Sequence, residues 1–158
     1  MSLTIKEINY DNLDDLKKLE SALKNWFTNP KELNFTDPNM QYPFDMKKWI
    51  NITYKLNEIE TIALSKDDWI IGFAGVKFFE KSNRAHIAQI YLDSDHRGKG
   101  YKKQMIDYIE DLCGRKNVKT LSISAMKKDM SARNLYESIG YQEVSAKGNV
   151  ITLEKTII

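Results

Sequence analysis

The sequence is poor in the residues that form disulfides and metal sites. Its 158 residues include one cysteine, Cys113, and two histidines, His86 and His96. A single cysteine excludes an internal disulfide, and this scarcity of ligands argues against a structural zinc site. Cys113 falls on the apolar side of a predicted helix, which favours a small core residue over a nucleophile. We therefore expect no metal site and no disulfide.

Long apolar runs and an excess of one charge are also absent. The longest apolar stretch, Trp69 to Val76, is far too short to span a bilayer. The first residues show neither the basic start nor the apolar core of a signal peptide. Lysine and arginine total 24 against 22 aspartate and glutamate, a balance that argues against general attraction to nucleic acids or membranes. These features predict a cytoplasmic protein with no nucleic-acid or membrane partner.

Two common phosphate-binding loops are missing as well, the Walker loop and the glycine-rich dinucleotide loop. The stretch from His86 to Gly114 instead predicts a strand, a polar turn and a helix. At the helix start, Gly98 and Gly100 alternate with the basic side chains of Arg97 and Lys99. Glycines let an anion approach the backbone closely, and the first N–H groups of a helix are unpaired and lie at its positive end. This pattern predicts a phosphate cradle, with a basic surface turn as the alternative.

Apolar periodicity along the chain predicts a single domain, residues 1–158, with the element order β-α-α-β-β-β-α-β-α-β-β. The first strand, over residues 3–8, should face inward through Leu3 and Ile5. Gly72 and Gly75 weaken a later strand and indicate a bulge or a close approach by another backbone. Helix boundaries are predicted from capping chemistry at Asn12, Asp45, Gly114 and Gly140.

Two motifs resemble those of the GCN5-related N-acetyltransferase (GNAT) family. That family's acyl-CoA loop has Arg or Gln, two residues, Gly, one residue, then Gly or Ala. Here it would run from Arg97 to Lys102, with Lys102 in the place of the small residue. A later family motif begins with Asn, where this chain has Asp129, and the element order agrees across nearly the whole chain. The positions that match the later motif are Ala132, Leu135, Tyr136, Gly140 and Tyr141.

The resemblance implies an α/β (α+β) fold with a central, mixed but mostly antiparallel sheet. About seven strands would be flanked by four helices, and the sheet would be splayed between its fourth and fifth strands. Acetyl-CoA would be the acyl-donor cosubstrate, with no metal. The backbone of Ile90, Tyr91 and Leu92 would bond the pantetheine arm. The pyrophosphate would be held by backbone N–H groups of Arg97, Gly98, Lys99, Gly100, Tyr101 and Lys102.

The resemblance also implies direct attack of an amine on the thioester in a ternary complex. Tyr136 takes the position of the general acid, and a phenol with an ordinary pKa of about 10 is protonated at neutral pH. Packing behind the cofactor is the other role open to it. His86 falls where some members carry a basic carboxylate, and an imidazole could take the amine proton directly or through water. Glu80 and Gln89 are weaker candidates, and His96 is a surface residue or a helper near phosphate.

The proline-containing loop from Thr28 to Pro43 predicts either a binding loop or a cover held down by its aromatic residues. In the resembling family this region covers the acceptor side of the cleft. Its apolar side chains, together with Asp37 and Asp45, predict a cationic primary amine as acceptor, either a small molecule or a peptide. The apolar side chains are Phe35, Met40 and Tyr42.

Two other functions remain open at this stage. One is a catalytically weak, acyl-CoA-binding regulatory domain, because a family fold does not by itself fix activity. The other is a nucleic-acid module, against which the near-neutral charge argues. A homodimer also stays open.

Overall fold

The structure is a computed structural model that describes residues 3–27 and 44–157. The loop predicted from Thr28 to Pro43, with Phe35, Asp37, Met40 and Tyr42, lies outside the described residues.

In the described part of the chain, seven strands form one mixed sheet. They are β1 (Leu3–Glu7), β2 (Glu60–Lys66), β3 (Trp69–Phe79), β4 (Arg84–Leu92), β5 (Thr120–Met126), β6 (Gln142–Lys147) and β7 (Val150–Thr156). The strand order is β1-β2-β3-β4-β5-β7-β6. The pairs β1–β2, β5–β7 and β6–β7 are antiparallel, whereas β4 and β5 are parallel. The predicted mixed, mostly antiparallel sheet is confirmed.

Within residues 3–27 and 44–157, four helices accompany the sheet, as predicted. They are α1 (Leu13–Trp26), α2 (Met46–Trp49, continued by π-helical turns over Ile50–Leu56), α3 (Tyr101–Arg115) and α4 (Met130–Ser138). The side chain of Asn12 accepts the backbone N–H of Asp15 at 3.0 Å, and Asp45 accepts that of Lys47 at 2.9 Å. Each cap satisfies an N–H group that has no partner inside its helix. The predicted starts of α1 and α2 are therefore confirmed.

The predicted end of α3 at Gly114 is wrong. The helix continues to Arg115, and the left-handed residue that ends it is Asn117, with φ 61°. The N–H of Val118 donates to the carbonyl of Cys113 at 2.9 Å, and that of Asn117 donates to Gly114 at 3.2 Å. This pair of bonds is a Schellman motif, in which Asn is the usual substitute for Gly. Gly114 lies inside the last helical turn.

The inward orientation predicted for the first strand is wrong at Leu3. Leu3 is 39% exposed and Ile5 is only half-buried. β1 is an edge strand, paired on one side only, so its side chains are less covered than those of central strands. The first buried apolar side chain is Ile8, whose N–H donates to the carbonyl of Thr61 at 2.8 Å.

Contacts within the chain define two compact units. The first contains Met1–Gly75 and Gln89–Lys102, and the second contains Val76–Ala88 and Lys103–Ile158. The single-domain organisation therefore stays a prediction.

The first unit is centred on aromatic side chains. Trp26 and Phe73 lie 6.0 Å apart between ring centroids, and Trp49 meets Phe73 at 5.6 Å. Beside this cluster, a Cβ added to Gly75 would lie 2.6 Å from Gln89 Oε1. The close approach predicted at Gly75 is confirmed, although side chains rather than another backbone make it.

The second unit has an aliphatic core. Fully buried apolar side chains lie on β5, β7 and α3. They are Leu121, Ile123, Ile151, Leu153, Met105, Ile106 and Ile109.

Candidate functional site

The glycine loop that precedes α3 belongs to the first unit. Gly98 and Gly100 have φ values of 78° and 79°, in the left-handed region that glycine adopts without strain. Helix α3 begins at the next residue, Tyr101. A Cβ added to either glycine would meet no heavy atom of the described chain within 4 Å. The loop therefore leaves open space beside its backbone at the positive end of the helix.

Arg97 ties this loop to the end of β4. Its Nε donates to the carbonyl of Leu92 at 3.1 Å, and its guanidinium carbon lies 5.6 Å from the centroid of the Tyr91 ring. Lys99 is exposed, and Lys102 is half-buried in the first turn of α3. The predicted basic residues thus occupy one short loop and the helix that follows it.

The end of β4 is held in place by packing and by one backbone hydrogen bond. The ring of Tyr91 lies 4.8 Å from Trp26 between centroids, and Leu92 is 3% exposed. The N–H of Asp93 donates to the carbonyl of Ile71 at 2.7 Å. The three predicted pantetheine-binding residues, with Ile90 first among them, therefore belong to a well-anchored strand end.

The side chain of His96 contacts Asp93, the residue that follows β4. Its Nδ1 lies 3.1 Å from Oδ2 of Asp93. This contact joins the two ends of the short turn over Ser94–His96 that leads into the glycine loop.

The parallel pairing of β4 with β5 lies in the second unit. It runs from Arg84–Thr120 to Ile87–Ile123. This short register agrees with the predicted splay between the fourth and fifth strands. His86 lies opposite Ser122 within the register.

His86 is surrounded by hydroxyl groups. Its Nδ1 lies 2.7 Å from Ser122 Oγ, and its Nε2 lies 3.1 Å from Ser124 Oγ. Burial lowers the pKa of His86 below its ordinary value, because the protonated ring loses hydration. The imidazole is therefore neutral at neutral pH and able to accept a proton.

Tyr136 lies on α4 and is 2% exposed. Burial raises the pKa of its phenol, and the negative charge of Asp129 raises that pKa further. The hydroxyl therefore stays protonated. Asp129 itself caps α4 by accepting the N–H of Ala132 at 3.0 Å. Asn and Asp cap helices about equally well, which explains why Asp serves where the resembling motif has Asn.

Cys113, the single thiol of the chain, is fully buried in α3. Burial, with a contribution from the charge of Glu110, raises the pKa of the thiol to about 11. A thiolate is the reactive form of cysteine, so this side chain is unsuited to carry an acyl group. The core role predicted for Cys113 is confirmed.

The sequence interpretation missed Ser122 and Ser124. The alternating burial of β5 places both on one face of the strand. The parallel register then brings them to His86. The alternation of apolar and polar residues along β5 can be recognised in the sequence. The pairing of β5 with β4, and the register of that pairing, cannot. Of the other candidates, Glu80 is exposed in a short turn, and Gln89 is 6% exposed against Gly75.

None of the helices in the described ranges is long and apolar enough to cross a bilayer. Across residues 3–27 and 44–157, no group of three or more His, Cys, Asp or Glu side chains is placed to hold a metal ion.

Comparisons with known proteins point to one family. A sequence model of the acetyltransferase (GNAT) family matches residues 21–141. No curated protein sequence matches the chain. Among solved structures, the PaiA N-acetyltransferase from Thermoplasma acidophilum, in complex with coenzyme A, is similar with a TM-score of 0.71. It is 17% identical, and the match covers 99% of each chain.

Two further solved structures are similar in fold. The ribosomal-protein-S18-alanine N-acetyltransferase from Escherichia coli has a TM-score of 0.72 at 16% identity, covering 99% of this chain and 94% of that one. The GNAT domain of S. lividans PAT has a TM-score of 0.78 at 12% identity, covering 96% and 89% of the two chains.

Proposed function

This chain belongs to the GNAT acetyltransferase family and is an N-acetyltransferase with acetyl-CoA as its acyl donor, and from this premise we propose that it acetylates a cationic primary amine. The amine would attack the thioester directly in a ternary complex. The buried thiol of Cys113 supports direct attack, because no other cysteine could form an acyl-enzyme thioester.

The observation that carries the proposal is the glycine loop before α3. Gly98 and Gly100 have positive φ with open space beside them, and they precede a long helix whose first backbone N–H groups have no partner within the helix. Such N–H groups bind phosphate oxygens well. We assign the pyrophosphate of acetyl-CoA to the backbone of residues 97–102. The pantetheine arm is assigned to the backbone of Ile90, Tyr91 and Leu92.

His86 and Tyr136 are proposed to move protons. As the amine nitrogen bonds to the acetyl carbon, the carbon–sulfur bond breaks and the CoA sulfur takes up negative charge. His86 accepts a proton from the amine, and its lowered pKa keeps it neutral for that task. Tyr136 donates its hydroxyl hydrogen towards the departing sulfur.

The first experiment measures binding and turnover separately. Acetyl-CoA at about 100 times its Kd should raise Tm by roughly 5–10 °C, since a ligand that binds only the folded state stabilises it. A panel of spermidine, lysine methyl ester, ethanolamine and an alanine dipeptide amide should then show thiol release with at least one amine. Binding without turnover on any amine would favour the regulatory alternative. No Tm shift would contradict donor binding.

The acceptor prediction rests on the loop from Thr28 to Pro43. The carboxylate of Asp45 already accepts two N–H groups at the start of α2, so Asp37 is the carboxylate chosen for testing. We expect the double variant Asp37→Asn with Tyr42→Ala to raise KM for a cationic amine without changing the acetyl-CoA Tm shift. An unchanged KM would mean that the acceptor is recognised elsewhere.

A further inference from the structure

Side chains of two neighbouring strands form a hydrogen-bonded chain around His86. Ser122 Oγ lies 2.7 Å from Nδ1 of the ring, and Ser124 Oγ lies 3.1 Å from Nε2. The Ser122 hydroxyl also donates to the carbonyl of Ala85 at 3.4 Å. All four residues belong to the second unit. The chain therefore starts at a backbone carbonyl, passes through both ring nitrogens and ends at a hydroxyl.

The carbonyl gives this chain a direction. A carbonyl oxygen can only accept, so the hydrogen of Ser122 points to Ala85 and its oxygen accepts from the ring. That places the hydrogen of a neutral imidazole on Nδ1 and leaves Nε2 as a bare acceptor for the hydroxyl of Ser124. This arrangement satisfies three hydrogen bonds. The opposite tautomer satisfies two, because Ser122 must then release the carbonyl in order to donate to Nδ1.

We propose that Ser122 is a positioning residue that holds neutral His86 in its Nδ1–H form, and that Ser124 relays the proton of the acceptor amine to Nε2. This inference rests on the proposed function, because it requires an amine that loses a proton. A hydroxyl that donates its hydrogen keeps lone pairs with which it can accept another. Ser124 is therefore able to receive a proton while it gives one.

The relay moves one proton without net consumption of any group. An N–H bond of the amine breaks and its proton binds Ser124 Oγ. The original O–H bond of Ser124 breaks, and that proton binds Nε2. The imidazolium formed keeps its Nδ1–H bond to Ser122 and now donates from Nε2 to Ser124. The ring's two partners are neutral hydroxyls, so the imidazolium gains no carboxylate charge and readily returns its proton to solvent.

The tautomer can be observed without any substrate. In protein carrying 15N-labelled histidine, long-range proton–nitrogen correlation spectra distinguish the protonated from the bare ring nitrogen. The chain has only one other histidine, so His96→Asn assigns the two rings. At pH 8 we expect the hydrogen of His86 on Nδ1, opposite to the form a free imidazole prefers in water. A hydrogen on Nε2 would overturn the positioning role.

Variants separate the two serines. Ser122→Ala should move the hydrogen of His86 to Nε2 and lower kcat about tenfold or more. Ser122→Thr keeps the hydroxyl and should retain both the Nδ1–H tautomer and the parental kcat. Ser124→Ala should leave the Nδ1–H form intact but lower kcat by a similar factor. Ser124→Thr, which keeps a hydroxyl, should have the parental kcat. Ser145→Ala, an exposed serine on β6, is the control for a strand Ser→Ala change.

Each contrary result has a definite meaning. An unchanged tautomer in Ser122→Ala overturns the positioning role, and parental kcat in Ser124→Ala overturns the relay. The assays use the amine of the panel that is acetylated fastest, and Tm verifies that each variant folds. If no amine is acetylated, the proposed function and the relay both fail. The NMR spectra still decide the tautomer independently of that failure.

Discussion

Replacing Tyr136 with phenylalanine should lower kcat by roughly one to three orders of magnitude while leaving acetyl-CoA binding nearly unchanged. The substitution keeps the ring, which is 2% exposed, and removes only the hydroxyl. A role confined to packing would survive that change. A role in stabilising the departing thiolate would not.

The pKa of the Tyr136 hydroxyl determines whether it can transfer its proton to the departing sulfur. An ordinary thiol has a pKa of about 8.5 and an ordinary phenol about 10, and burial raises the pKa of Tyr136 further. Complete proton transfer to the sulfur is therefore uphill. The hydroxyl acts best by donating a hydrogen bond as charge develops on the sulfur. Because a raised pKa keeps the phenol protonated at higher pH, Tyr136 should cause no loss of rate at mildly alkaline pH.

We expect His86, the proposed base, to determine the acid side of the pH profile. Its pKa lies below the ordinary value of about 6.5, and the protonated ring cannot accept a proton. The rate should therefore fall as pH decreases through a value below 6.5, in the parent and in Tyr136→Phe alike.

Tyr141→Phe is the matched control. Tyr141 is 1% exposed, lies in the same unit, and donates its hydroxyl to Glu110 Oε2 at 2.8 Å. Its replacement removes a buried hydroxyl that we assign no part in the reaction. Steady-state kinetics and the acetyl-CoA Tm shift should be measured for both variants. Equal losses of kcat in the two would show that the Tyr136 hydroxyl contributes no more than another buried hydroxyl of the same unit.

Gly100→Val should abolish the acetyl-CoA Tm shift while the apo protein stays folded. A β-branched residue at φ 79° is strained by ~1–2 kcal/mol, and its side chain would occupy the open space beside the loop backbone. The strain alone is small relative to the stability of a typical domain. Loss of the proposed phosphate cradle, by contrast, should remove most of the affinity for acetyl-CoA.

Gly148→Val supplies the control for strain. Gly148 has φ 60°, also with no heavy atom of the described chain within 4 Å of an added Cβ, but it lies in the turn between β6 and β7. The two variants should lose similar apo stability, and only Gly100→Val should lose the ligand-induced shift. A full shift in Gly100→Val would place the donor elsewhere.

Local chemistry made much of the fold predictable. The caps at Asn12 and Asp45 depend on a side chain and the N–H groups two or three residues away, so the sequence contains everything needed to recognise them. The same holds for the glycines at 98 and 100, whose positive φ and position before a helix follow from neighbouring residues.

The errors came from features that local sequence does not determine. Gly114 and Asn117 can both end a helix, and Val118, which follows Asn117, is buried as the residue after such a cap usually is. The exposure of Leu3 depends on which strand forms the edge of the sheet. Ser122 and Ser124 became visible only through the parallel register between strands that are 27 residues apart, from Leu92 to Thr120, which a single sequence does not specify.

The contact of Arg97 with its own strand has a consequence for the entropy of donor binding. A flexible glycine loop would lose conformational freedom when it closes on a phosphate, and that loss would weaken affinity. Arg97 is bonded to the Leu92 carbonyl and lies over the Tyr91 ring, and these contacts restrain the start of the loop before any ligand binds. The ordering cost falls on folding instead of binding. If the loop backbone binds pyrophosphate as proposed, the side chain of Arg97 would strengthen that binding without contacting the phosphate.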